Sequence, residues 1–200
     1  QERAEGRPAD GPLGKGLEAG TVFVSRPHEV TGEVLTADYL AALVKVLERT
    51  GGRLIVDESF RGFVNSDPLG ERLIESPCCA ILRSFTPFYS LTMLRLAYIV
   101  ANRETIAALS GAMQEDEISP LACWAALGSL QDRGFVKRTE RYYAGERAFM
   151  LKSLERLPEV GTRDRAGNSI LLIVPSHLEA LHEELLSQGI LIDGFRDGEG

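Results

Sequence analysis

The stretch TADYLAALVKVLERTGGRLIVDE, Thr36 to Glu58, decides the fold. Leu40, Leu43, Val44 and Leu47 recur at i, i+3, i+4 and i+7, one apolar stripe on a helix from Thr36 to Arg49. Gly51-Gly52 closes that helix. Arg53–Val56 follows as a continuous apolar run that ends in Asp57-Glu58. Cys79–Leu82 (CAIL) repeats the pattern and ends in Arg83-Ser84, and Leu94–Val100 is a third run, interrupted by Arg95. Short apolar strands between helical segments imply an α/β fold, a mostly parallel sheet covered on both faces by helices. In such sheets ligands bind beyond the carboxyl ends of the strands, so the residues just after each strand carry the functional information.

Working outward, Thr21–Val24 (TVFV) reads as a short strand broken by Arg26-Pro27, and Gln1 to Gly20, with five Gly and two Pro, as loop or tail. Downstream, Asn102 is placed to cap a helix to about Met113, and Ser119-Pro120 to open a long helix whose Leu121, Trp124, Leu127 and Leu130 are expected in the core. Helical pattern runs from about Thr139 to Arg156, and Ile170–Val174 is a strand. Ser176-His177-Leu178-Glu179 is a capping box for a helix to Gln188, stopped by Gly189. Ile190–Ile192 reads as a last short strand before a frayed Gly-rich end, and Glu115-Asp116-Glu117 as a solvated turn. The expected organisation is a tail at 1–20, a partial large domain at 21–101 and a smaller α+β C-terminal domain at 102–200.

The 200 residues carry 22 Lys+Arg against 29 Asp+Glu, a net charge of -7. That balance disfavours nucleic acid and anionic membrane as partners, since both need a basic face. A phosphate site must then be local, built from a few positioned donors. Cys78, Cys79 and Cys123 are odd in number and lack metal-ligand spacing, which argues against a disulfide framework or zinc and for a reducing, cytoplasmic setting. There is no apolar run of the roughly 18 residues a membrane helix needs. The opening at Gln1, without Met, reads as a processed, trimmed or partial chain.

The residues at the strand ends are Asp57, the Ser84-Phe85-Thr86 cluster and Arg95. An acid, hydroxyls and an Arg so placed could hold an anionic aromatic ligand, the guanidinium forking onto a phosphate. The competing reading makes them ordinary turn residues. His177 and His182 read as surface histidines, and Lys45 and Lys152 as solvated lysines on helices.

Ser84–Tyr98, SFTPFYSLTMLRLAY, resembles the Schiff-base segment of fold type I pyridoxal-phosphate enzymes of aminotransferase class I/II. It is most similar to the histidinol-phosphate aminotransferase and threonine-phosphate decarboxylase branch, which reads SFTKFYALPGLRLGY. Val56–Phe63 (VDESFRGF) resembles that branch's VDEAYxxF, and Arg26–Gly32 (RPHEVTG) sits where it has NPNNPTG. The resemblance runs over roughly residues 20–195. It implies that Asp57 pairs with the cofactor's pyridine nitrogen and that Ser84, Thr86 and Arg95 bind its phosphate.

The same resemblance puts Pro87 where the family has its Schiff-base lysine. Proline has no side-chain amine and can act neither as nucleophile nor as general base. Phe60 stands for a tyrosine whose hydroxyl binds the cofactor's ring oxygen, and Glu29 for an asparagine that binds the same atom. Two motif glycines are Met93 and Ala97, expected to crowd the loop. The family's first strands and its C-terminal arginine are expected to fall outside these 200 residues, whether cut from this chain or absent from the protein. The implied cofactor is therefore pyridoxal phosphate without covalent attachment. The expected function is a degenerate, non-catalytic scaffold for binding or assembly, a homodimer or the partner of an active relative, with a phosphorylated small molecule as ligand. The alternatives are a working aminotransferase or decarboxylase of amino-acid or cobalamin biosynthesis, and an enzyme without Schiff-base chemistry in which Glu29, beside His28, or Asp57 acts as acid or base.

Overall fold

Helix α1, Ala37–Thr50, forms where the apolar stripe requires it. The Thr36 side chain accepts the Tyr39 N–H at 3.2 Å as its N-cap, and Gly51 ends it in the left-handed region at φ 71°. The computed structural model of the chain describes residues 20–66, 68–113, 118–157, 159–163, 167–174 and 178–195. The expected N-terminal tail, the acidic turn at 115–117, the Ser176-His177 capping box and the Gly-rich end lie outside the described residues.

Strands β1 (Thr21–Ser25), β2 (Arg53–Asp57), β3 (Cys79–Ser84) and β4 (Ala97–Ala101) form one sheet in sequence order. β1 and β2 pair in parallel, as do β2 and β3, in the register Ser25↔Asp57 and Asp57↔Leu82. β4 runs antiparallel to β3, with Ser84 opposite Ala97 and Arg83 opposite Tyr98. The sheet is thus mostly parallel, but its last strand is shorter than the apolar run Leu94–Val100. Leu94 closes a short 3-10 turn, Thr92–Leu94, and Arg95 takes a left-handed conformation at φ 47°. That geometry turns the chain back before pairing resumes at Ala97.

Leu40, Leu43, Val44 and Leu47 of α1 close over Leu54, Val56 and Ile81, and all seven are buried. Side chains two apart share a face of a strand, so the core side of β2 and β3 continues from Val56 to Glu58 and from Ile81 to Arg83. Asp57, Leu82 and Ser84 lie on the opposite face. The short α2, Glu71–Glu75, adds Leu73 to the core.

After the sheet come α3 (Arg103–Ala112), α4 (Pro120–Gln131), α5 (Arg133–Leu154), the two-stranded antiparallel pair β5 (Gly161–Arg163) and β6 (Leu171–Ile173), and α6 (Leu178–Ser187). Asn102 caps α3 through its side-chain oxygen and the Thr105 N–H at 2.7 Å. α5 starts six residues before the expected Thr139, because Asp132 Oδ1 accepts the Phe135 N–H at 2.8 Å and opens the helix there. Ile190–Ile192 is not a strand. Gly189 at φ 77° ends α6 and hands the Ile190 N–H back to the Leu185 carbonyl, so the segment leaves as a helix cap. The larger correction concerns α4. Its buried residues are Ala122 and Ala126, while Trp124 and Leu121 are 76% and 66% exposed. Among the described residues, no helix is long and apolar enough to cross a membrane.

Candidate functional site

Parallel pairing brings the ends of β1, β2 and β3 to one edge of the sheet, where β4 begins. Ser25 and Asp57 are register partners, Asp57 pairs with Leu82, and Ser84 is two residues further on the same face. Two of the predicted ligand residues, Asp57 and Ser84, therefore share an edge and a face. Each also holds its own turn. Asp57 Oδ1 accepts the Ser59 N–H at 2.8 Å, and Ser84 Oγ accepts the Thr86 N–H at 3.0 Å.

Arg95 is exposed at the left-handed residue between the 3-10 turn and β4. Glu29 is also exposed, and its backbone carbonyl accepts the Ser169 hydroxyl at 3.0 Å, which ties the loop after β1 to the one before β6. Beside it, the His28 Nδ1 accepts the Thr31 N–H at 3.2 Å. Met93 does not crowd the loop, since it is 90% exposed on the 3-10 turn. Ala97 is exposed as well.

Phe60 and Pro87 border an aromatic cluster. Phe63 meets Phe60 at 6.4 Å, Phe88 at 5.3 Å and Tyr143 of α5 at 4.7 Å. Tyr89 stacks on Phe135 at 5.7 Å, and burial, with Tyr98 nearby, raises the pKa of its hydroxyl. Gly62 lies so close to Phe88 that a Cβ there would fall 2.3 Å from the ring. The aromatic residues on either side of Pro87, Phe85 and Phe88, are thus packing residues, and both are buried.

Composition and motif together missed the strongest charge arrangement. Arg26 and Glu58 are fully buried and meet at 2.9 Å. Arg26 Nε also donates to the Leu35 carbonyl at 2.7 Å. Arg83 Nη2 reaches the other Glu58 oxygen at 2.7 Å, and Arg61 Nε lies 3.5 Å from Glu58 Oε1. Burial disfavours the charged Arg83, but Glu58 and Tyr98 more than offset it and hold its pKa above the ordinary value. A signal was present in the sequence. Glu58 and Arg83 continue the core parity of Val56 and Ile81, and a charge at a core position must find a partner.

A cavity of about 320 Å³ lies between Tyr89, Phe135, Asp132 and the small residues of α4. None of the sequence-predicted ligand residues lines it. Among the described residues there is no cluster of three or more His, Cys, Asp or Glu that could hold a metal.

The family model of aminotransferase class I and II matches residues 9–197. A histidinol-phosphate aminotransferase of Symbiobacterium thermophilum is 30% identical over 174 residues, which cover 86% of this chain and 47% of that protein. The structure of a histidinol-phosphate aminotransferase from Sinorhizobium meliloti, solved with pyridoxal-5'-phosphate, superposes with a TM-score of 0.79 at 22% identity, over 86% of this chain and 48% of that one. An L-threonine-O-3-phosphate decarboxylase from Porphyromonas gingivalis gives 0.78 at 19% identity, over 93% and 58%. These two structures share the fold. The chain spans about half the length of the curated relatives it matches.

Proposed function

Because the chain belongs to the aminotransferase class I and II family, we propose that it is a degenerate member: a binding or assembly scaffold that keeps a phosphate-ligand site and lacks Schiff-base chemistry. Pro87 carries this reading. It follows β3 at the position the family motif gives to the lysine, and it offers no amine. The lysines among the described residues, Lys45, Lys137 and Lys152, lie on α1 and α5 rather than at the strand ends.

The relatives' cofactor, pyridoxal phosphate, meets a divided donor set. The Ser84 hydroxyl, Thr86 and Arg95 suit its phosphate, and Asp57 suits a protonated ring nitrogen. The other end does not fit. Phe60 has no hydroxyl to give the ring oxygen, an ionised Glu29 would repel it, and Pro87 cannot bond to the carbonyl. No chemical step follows from that set. What remains is reversible, salt-sensitive binding of a phosphorylated small molecule, in a cytoplasmic protein that assembles with a second copy or an active relative.

The test is an absorption titration with pyridoxal phosphate, followed by borohydride reduction and intact-mass analysis. The expected result is saturable binding, weakened at least tenfold by Arg95→Ala, with no mass gain after reduction. A mass gain on one lysine, or full transamination by Pro87→Lys alone, overturns the proposal.

A further inference from the structure

We infer that Arg61, Arg83 and Tyr98 form a second anion site, for the phosphate group of a small molecule, on the face of the sheet opposite Asp57 and Ser84. The starting point is a mismatch of charge. Glu58 is fully buried and meets the guanidiniums of Arg26, Arg61 and Arg83. Its Oε1 accepts Arg26 Nη1 at 2.9 Å, and its Oε2 takes Arg83 Nε at 2.9 Å and Nη2 at 2.7 Å. Leaving Arg26 aside, Arg61 and Arg83 still share a single carboxylate, and among the described residues neither forms another ion pair.

Arg61 carries the excess. Its Nε is closed to solvent, lies 3.5 Å from Glu58 Oε1 and forms no hydrogen bond. Buried donors in that state are rare and call for an ion or a ligand nearby. The rest of the pair is open, with 34% of the Arg61 side chain and 26% of the Arg83 side chain exposed. Tyr98 stands opposite Arg83 in the β3–β4 register and is hydrogen-bonded to it. An arginine has only donors, so the Tyr98 oxygen accepts and its hydroxyl hydrogen is left to donate outward. In a chain of net charge -7, an anion needs such a local excess of positive charge to bind.

The donors select the ligand. Arg83 comes from β3, Arg61 from the short turn Arg61–Phe63 and Tyr98 from β4. Two guanidiniums and a hydroxyl arriving from three elements suit the several oxygens of a tetrahedral phosphate, whereas one planar fork suffices for a carboxylate. Strand parity keeps this site apart from the strand-end site. Arg83 continues the α1 side of the sheet, while Ser84 and Asp57 lie on the other. A phosphate group held by Arg83 is therefore not the one that Ser84 would hold, and the second site does not depend on what the strand ends bind.

The test is a titration of the full chain, and of its Arg95→Ala variant, with inorganic phosphate at constant ionic strength, followed by phosphorus NMR and by the guanidinium nitrogen resonances of Arg61. In both chains the Arg61 resonances should move and saturate, a readout that needs no substitution at the site. Arg61→Gln, with circular dichroism unchanged, should weaken phosphate binding to the Arg95→Ala chain at least tenfold, and Arg61→Lys should restore part of it. Acetate should bind at least tenfold more weakly than phosphate. Arg61 resonances that phosphate leaves in place overturn the inference, as do equal binding of acetate and phosphate binding indifferent to Arg61→Gln. Binding that Arg95→Ala alone abolishes also overturns it, and leaves the strand-end reading standing.

Discussion

Arg26 and Glu58, thirty-two residues apart, meet at 2.9 Å with neither side chain exposed, and Arg26 also donates to the Leu35 carbonyl just ahead of α1. Glu58 also takes Arg83, so one carboxylate holds the ends of β1, β2 and β3 together. Glu58→Ala should cost about 3–5 kcal/mol, the range for breaking a buried pair. Urea unfolding would measure it, and a loss below about 1 kcal/mol would show that the three arginines are held by other contacts.

The exposed α4 face and the α1 core make opposite predictions for similar truncations. Leu47→Ala and Leu54→Ala, at fully buried positions, should each cost about 2–5 kcal/mol. Leu121→Ala in the isolated chain should stay within about 0.5 kcal/mol. A large loss at Leu121 would mean that α4 is covered in solution.

Two helix caps should matter and a third should not. Thr36→Ala and Asn102→Ala each remove a side-chain acceptor from a helix N-terminus, at a cost of about 0.5–2 kcal/mol apiece. Ser119 makes no side-chain cap bond, so thermal unfolding of Ser119→Ala should show only the small change typical of a surface site.

Thiol chemistry should separate the three cysteines. Cys123 is exposed while Cys78 and Cys79 are buried, so a thiol reagent should modify one site quickly and the other two only on unfolding. Burial, with Cys78 nearby, pushes the Cys79 thiol up to about 12 from 9.0. Its folded pKa lies above the unfolded one, so its contribution to stability is complete below pH 9.0 and declines as pH rises toward 12. Cys79→Ala should flatten that part of an alkaline unfolding curve. An unchanged slope would place the loss elsewhere.

Close packing beside Pro87 gives a steric test. A methyl group at Gly62 would meet the Phe88 ring at 2.3 Å, so Gly62→Ala should destabilise by about 1–3 kcal/mol. Phe88→Leu in the same chain should recover part of that loss, as measured by a double-mutant cycle.

The placement of two candidate-site residues was legible because they follow strand ends. The apolar runs RLIV and CAIL place Asp57 and Ser84, and the parallel register of β2 and β3 sets both on one face. Arg95 was legible as a residue but not as a conformation, since its left-handed φ depends on the reversal into an antiparallel β4. The Arg26–Glu58–Arg83 network was hidden in a different way. Strand parity marks Glu58 and Arg83 as core-facing, yet nothing in the local pattern names Arg26 as the partner.

The sequence by itself determined the local order of this protein: the stripe of α1, the strands β1, β2 and β3, the caps at Thr36 and Asn102, and the motif that identifies the family. These are fixed by period, side-chain branching and hydrogen bonds within a few residues. Only the tertiary structure decided that β4 runs against its neighbours, that Glu58 joins Arg26 to Arg83, and that Trp124 lies outside rather than in the core. The reason is the same in each case. An apolar or charged residue states its need for a partner, but the partner comes from a part of the chain that local pattern does not reach.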